Sequence, residues 1–186
     1  MTNEIKYSII DSTNNEAQRQ IQNGVAPKGD FVIRADFQTD GRGQRGNTWH
    51  SPNAMNLMFS YVYFPAKLEA RHQFMLSQAA STAVAEYLTQ KGIQGVSIKW
   101  PNDIYVGMKK ICGMLIENTV SGHYIRYSII GIGVNINQTQ FPENLPNSRR
   151  SPSIPACCTT LTKNLQPLSK SCVKRYTTSA PPTPTR

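Results

Sequence analysis

Thr39-Asp40-Gly41-Arg42-Gly43-Gln44-Arg45-Gly46-Asn47-Thr48-Trp49 packs three glycines and two arginines into a loop closed by a tryptophan. Glycine frees the backbone to adopt positive φ and to approach a ligand closely. Successive exposed N–H groups in such a loop form an anion-binding concavity, and arginine reinforces it with a forked set of donors. The letters Gly41, Gly43 and Gly46 also fit G-x-G-x-x-G. That fingerprint requires a helix directly after the glycines and an acidic residue about twenty positions on. Here Asn47-Thr48-Trp49-His50-Ser51-Pro52-Asn53 follows, with a proline and no apolar helical period, so a dinucleotide-binding turn fails on context. An ordinary surface loop would account for the glycines but for neither the arginines nor the tryptophan.

The segment leading into this loop, residues 31–38 (Phe31-Val32-Ile33-Arg34-Ala35-Asp36-Phe37-Gln38), reads as a strand, as do residues 6–10 and 56–64. Between the first two, Ser12 or Thr13 can cap a helix over residues 15–23, with Glu16 near its positive end and Gly24 as its stop. Apolar residues recur at helical spacing over residues 68–90, among them Met75, Leu76, Ala79, Ala80, Ala83 and Tyr87, which predicts one long amphipathic helix. Residues 96–100 form a strand ended by Pro101. Residues 104–106 and 110–118 flank a turn at Gly107-Met108-Lys109. Residues 124–137 form a bent strand or a strand pair, where Gly131 and Gly133 permit a bend or a close ligand approach. Few helices and many strands on short connections imply an α+β fold with a mixed, largely antiparallel sheet.

Three more segments carry chemistry: Lys99-Trp100-Pro101-Asn102-Asp103, Lys110-Ile111-Cys112-Gly113-Met114-Leu115-Ile116-Glu117 and Gly131-Ile132-Gly133-Val134-Asn135-Ile136-Asn137. Taken in order with the glycine/arginine loop, they resemble the biotin protein ligases, over roughly residues 5 to 147. That resemblance implies the catalytic core shared with class II aminoacyl-tRNA synthetases. It also implies a two-step reaction, in which biotin and ATP give biotinyl-5′-AMP and biotin then passes to a lysine of a carboxyl carrier domain.

Joining a carboxylate to a polyphosphate demands positive charge, and Arg42, Arg45 and Lys99 have the right sign, with Mg²⁺ expected on the phosphates. By resemblance, Lys99 contacts the biotin carboxylate and then the acyl-phosphate bridge. A plain surface lysine at a strand end is the competing reading. Ser12, Thr13 and Gln38 are implied to hydrogen-bond the ureido ring with help from the Arg42 backbone, and Asn14 completes the Ser-Thr-Asn motif. That motif also reads as a simple helix cap, and both readings can hold together. The resemblance further implies that Gly41 and Gly43 belong to the ligand-binding loop, that Gly113, Gly131 and Gly133 line the pocket, and that Trp49 and Asn135 lie near the adenylate. Asn102 and Asp103 are read as site-shaping, and Glu117 as holding a lysine or a strand end. Gln44 stands where the best-known bacterial members carry arginine, which keeps a hydrogen-bond donor but removes a charge. His50, His72 and His123 are too scattered to suggest a metal site.

The net charge of +9 invites a nucleic-acid reading, yet its distribution argues otherwise. Through Asn147 there are 13 Lys and Arg against 11 acidic residues; residues 148–186 carry 7 basic residues and no acidic ones. That segment also lacks glycine and holds 6 prolines, 3 cysteines and 13 Ser/Thr. Cys157, Cys158 and Cys172 show no zinc-binding spacing, and Cys112, the one earlier cysteine, suits a reducing compartment. We therefore expect a catalytic domain over residues 1–147 and an atypical tail over 148–186, disordered or out of frame, replacing the family's small C-terminal β-domain. With Ser12 so close to the start, no DNA-reading domain is expected. No signal or membrane-spanning segment is legible, so the cytoplasm is the expected location. A homodimer is left open. Competing readings are a lipoate–protein ligase, whose glycine/arginine loop would differ, a catalytically impaired remnant, and a basic nucleic-acid-binding module.

Overall fold

The structure, a computed structural model, describes residues 3–138. Apolar side chains at alternate positions give the central strands β2 (Phe31–Gln38) and β3 (Leu57–Tyr63) two different faces. Around them stand β1 (Asn3–Ile10), β4 (Val96–Lys99), β5 (Asp103–Val106), β6 (Lys109–Ser121) and β7 (Tyr124–Val134), with helices α1 (Thr13–Gln22) and α2 (Phe74–Gln90). The seven strands form one sheet in the order β1-β2-β3-β7-β6-β5-β4. Among the described residues only β1 and β2 run parallel; every other pair is antiparallel, so the expected α+β fold with a mixed, largely antiparallel sheet is the fold observed.

On one face Leu57, Phe59, Tyr61, Ile130 and Ile132 pack with Leu76, Ala80, Val84 and Leu88 of α2. Each fully buried apolar side chain of this size contributes roughly 1.5–3 kcal/mol. On the other face Phe31, Ile33, Val62 and Ile129 pack against Ala17 of α1. Helix α1 covers only part of that face. Farther along it, Gly131 and Gly133 of β7 lie opposite Ser60 and Met58 of β3, and Gly113 of β6 lies opposite Gly133. With no side chains on three of these positions, the sheet carries a trench there.

Several local expectations change. The helix expected over residues 68–90 begins only at Phe74. Leu68 is buried, its carbonyl accepts from the Ile125 N–H, and the Ala70 N–H donates to the His123 carbonyl. This segment thus spends its backbone groups on the β6–β7 hairpin before the helix starts. Helix α1 starts two residues early, at Thr13, and Ser12 holds the cap position without a side-chain capping bond. Its stop is as read: Gly24 takes φ +70°, and the Asn23 N–H returns to the Arg19 carbonyl. The region expected over 124–137 is one strand, Tyr124–Val134, in unbroken register with β3 from Ser128 to Val134, a stretch that includes both glycines. It ends at Val134, where Asn56 Oδ1 accepts the Ile136 N–H at 2.9 Å. The expectations for residues 139–186, including the tail from 148 onward, lie outside the described residues. Among the described residues no helix is long and apolar enough to cross a membrane.

Candidate active site

A cavity of about 440 Å³ opens over the glycine trench, bounded by the N-terminus of α1 and the β2–β3 loop. The loop is folded back on itself by paired backbone bonds: Trp49 N–H to the Gly41 carbonyl (2.8 Å) and Gly43 N–H to the Asn47 carbonyl (2.7 Å). A Cβ on Gly41 would come within 2.4 Å of the Trp49 carbonyl oxygen, so Gly41 serves this closure and does not line the cavity. Arg45 sits in the left-handed region at φ 55°, and Gln44 donates from Nε2 to the Met114 carbonyl at 3.4 Å. Trp49 reaches inward, so that a Cβ on Gly133 would lie 2.3 Å from its Cε2 and one on Gly113 would lie 3.0 Å from its Cζ3. The indole therefore lies across the two facing glycines, and its buried Nε1–H has no partner among the described residues. That donor is buried close over Gly133.

The inner end of the cavity is polar. Gln38 Oε1 accepts the Thr13 N–H at 2.7 Å, leaving its Nε2 as the donor, with only the Met58 sulfur at 3.4 Å nearby among the described residues. Ser60, fully buried, lies within hydrogen-bond distance of Thr13 Oγ1 (2.8 Å) and Asn14 Oδ1 (2.5 Å). Asn14 Nδ2 donates to Glu117 Oε2 (2.7 Å) and to the Leu115 carbonyl (3.3 Å). A Cβ on Gly131 would stand 2.3 Å from Asn14 Oδ1, so glycine is what lets this amide lie on β7. Just behind α1, hydrogen bonds from the Arg19 guanidinium hold the Asp11 carboxyl well below the usual carboxylate range, against an opposing effect of burial. Glu16 is also lowered: burial alone would raise it, but hydrogen bonds from Tyr7, Gln20 and Arg19 outweigh that.

The cations are distributed differently from the sequence reading. Arg42 donates to both Glu117 oxygens (2.7 and 3.3 Å) and to Asn15 Oδ1 (2.9 Å), which anchors the loop to β6 and α1. Glu117, expected to hold a lysine or a strand end, holds this arginine and Asn14 instead. Lys99 is exposed and outside the cavity lining, with its ammonium 5.4 Å from the centre of the Tyr105 ring. Trp100 is exposed as well and stacks on Phe74. The cavity side of that segment begins at Pro101, whose carbonyl accepts from Ser77 at 2.7 Å, and Asn102, whose amide donates to the Met114 carbonyl. Asp103 lines the cavity in an ion pair with Lys110 at 2.8 Å. Lys110, the first residue of the motif over residues 110–117, lines it too, although the sequence reading gave it no role. Ser12, Thr13, Asn14, Gln38, Arg42, Gly43 and Gln44 all line the cavity, as do Arg45, Trp49, Gly113, Gly131, Gly133 and Asn135.

Comparison with known proteins gives this geometry a lineage. The bifunctional ligase/repressor BirA of Bacillus subtilis is 36% identical over 144 residues, covering 76% of this chain and 43% of that protein. The biotin–[acetyl-CoA-carboxylase] ligase of Paracoccus denitrificans is 34% identical over 131 residues, covering 68% of this chain and 51% of that protein. The chain thus spans about half the length of these relatives, or less. Among solved structures, the biotin protein ligase of Leishmania major in complex with biotinyl-5-AMP superposes with a TM-score of 0.70 at 26% identity, over 92% of this chain and 75% of the other. The Aquifex aeolicus biotin protein ligase with biotin and ATP gives 0.66 at 28% identity, over 95% and 75% of the two chains. The family model of the biotin/lipoate A/B protein ligases matches residues 7–135, most of the chain, and the protein belongs to that family.

Proposed function

We propose that this chain activates biotin with ATP and passes the biotinyl group to a lysine of a biotin carboxyl carrier domain. One observation carries biotin over lipoate: the cavity end presents Gln38 Nε2 as a donor and Thr13 Oγ1 as a hydroxyl beside it. A cyclic urea offers a matching carbonyl and N–H, whereas the dithiolane of lipoate offers neither, and unmatched buried polar groups reject a ligand strongly. Relatives crystallised with biotin, ATP or biotinyl-5-AMP support the same assignment.

The glycines let Trp49 and Asn14 lie close on the sheet, and the cavity left beside them suits a ligand chain that would bring its carboxylate toward Lys110. In the first step a carboxylate oxygen bonds to the α-phosphorus of ATP, the bond to the bridging oxygen breaks and pyrophosphate leaves. No side-chain nucleophile is required. Arg42, Arg45 and Lys110 are the cations we assign to the charge that shifts in this step, because all three line the cavity; Arg42 is held there by Glu117 and Lys110 by Asp103. Trp49 and Asn135 are assigned to the adenylate. In the second step the carrier amine attacks the acyl carbon and AMP leaves. Among the described residues Asp103 is the one carboxylate lining the cavity and is paired with Lys110, so the residues present do not form a carboxylate site for Mg²⁺. Mg²⁺ is assigned to the triphosphate of the incoming nucleotide. Mass spectrometry on the full chain with biotin, MgATP and a carrier domain tests the proposal. Biotinyl-5′-AMP and a biotinylated carrier are expected; an adenylate formed from lipoate but not from biotin would overturn it.

A further inference from the structure

The inner end of the cavity contains a hydrogen-bond chain whose direction is set by its far end. The Leu115 carbonyl and the Glu117 carboxylate, which is paired with Arg42, can only accept, so both must take protons from Asn14 Nδ2. Asn14 Oδ1 therefore faces Ser60 and can only accept from it. Ser60 has one proton, and Asn14 takes it. The 2.8 Å contact between Ser60 and Thr13 then needs the proton of Thr13. With that proton committed, Thr13 meets the cavity with lone pairs alone. Ser60 does not itself line the cavity, so it acts through its neighbour.

We infer that Ser60 is a positioning residue for ligand specificity: by donating to Asn14 it turns the Thr13 hydroxyl into an obligate acceptor, which selects a ring presenting an N–H there. This rests on the proposed function, in which the ring is the cyclic urea of biotin. A hydroxyl free to rotate would accept an N–H or donate to an oxygen equally well. The chain removes that freedom, and a site whose polar group is left unmatched discriminates strongly.

The test is calorimetric binding of biotin and of the two cyclic-carbamate analogues in which one or the other ureido N–H is replaced by oxygen. The full chain should bind biotin and reject one analogue by about a hundredfold or more. In Ser60→Ala that ratio should fall to within about tenfold, because Thr13 regains the choice of donating. Ser60→Cys keeps the side-chain shape and a weaker donor, with a somewhat larger atom. It should give an intermediate ratio, and it carries the test if Ser60→Ala does not fold. In a Thr13→Val background the ratio should already be low, and adding Ser60→Ala should leave it there, as coupled residues require. Unchanged ratios in both Ser60 variants would overturn the inference, as would an equal effect of Ser60→Ala with and without Thr13. A full chain that binds no biotin would overturn the proposed function and this inference together, whereas biotin binding with unaltered ratios would overturn only the inference.

Discussion

Lys99 and Lys110 are two candidate cations, of which the sequence reading named only the first. Both follow strand patterns, both stand in segments that resemble the family, and the sequence offers no reason to prefer the second. Lys99 and its cross-strand neighbour Asp103 leave the sheet on the same face, but the Asp103 carboxylate is taken by Lys110, and Lys99 runs over Tyr105 instead. The deciding fact is the cross-strand pairing of β5 with β6 through a register shift beyond Ile104, which no local pattern encodes. Gly113 leaves room for the Lys110 side chain, whose Nζ would be 3.3 Å from a Cβ at that position. Gln44 was legible, because its departure from the expected arginine is visible in the letters. Gln44→Arg places a charged fork at the loop beside the proposed phosphate site, so release of biotinyl-5′-AMP should slow several-fold. Following the free adenylate by rapid filtration checks this, and equal release rates would count against a phosphate-side role for position 44.

At the scale of elements, the trench depends on glycines on one face of β6 and β7. Gly133→Ala would drive a methyl into the Trp49 indole and Gly131→Ala would drive one into the Asn14 amide. Overpacking of this kind typically costs about 1–3 kcal/mol. We expect both variants to lose thermal stability and to weaken biotin binding, with Gly133→Ala also quenching or shifting Trp49 emission. An unchanged melting temperature and affinity would show that the trench is wider than described. The link from β1 to α1 also gives a pH response. The folded Asp11 carboxyl lies below its unfolded value of about 3.9, so its contribution is present above that pH and fades as the pH falls below about 4. Both partners are substantially exposed, which limits the effect to about a few tenths of a kcal/mol. Asp11→Asn should therefore flatten the acid limb of the stability curve measured by urea unfolding. Most strands were legible because alternation and β-branched residues mark them. The start of α2 was not, since Leu68 is apolar at helical spacing yet is buried through its pairing with a distant hairpin.

Across the whole molecule, a single sheet separates two jobs: α2 and its apolar face hold the fold, and the α1 face holds the cavity. The order of four motifs makes this fold class and most of the cavity lining legible in the letters alone. The direction of the Asn14–Ser60–Thr13 chain and the engagement of Arg42 with Glu117 are not legible there, because they join residues up to 103 positions apart. We assign biotin activation to this face, with Lys110 as a principal cation. Biotin-dependent exchange of pyrophosphate into ATP, measured on the full chain, Lys110→Ala and Lys99→Ala, tests it most directly. Exchange is expected with biotin and not with lipoate, with a loss of about two to three orders of magnitude in Lys110→Ala, roughly 3–4 kcal/mol, and near-normal exchange in Lys99→Ala. Near-normal exchange in Lys110→Ala with a collapse in Lys99→Ala, or no biotin-dependent exchange by the full chain, would contradict it.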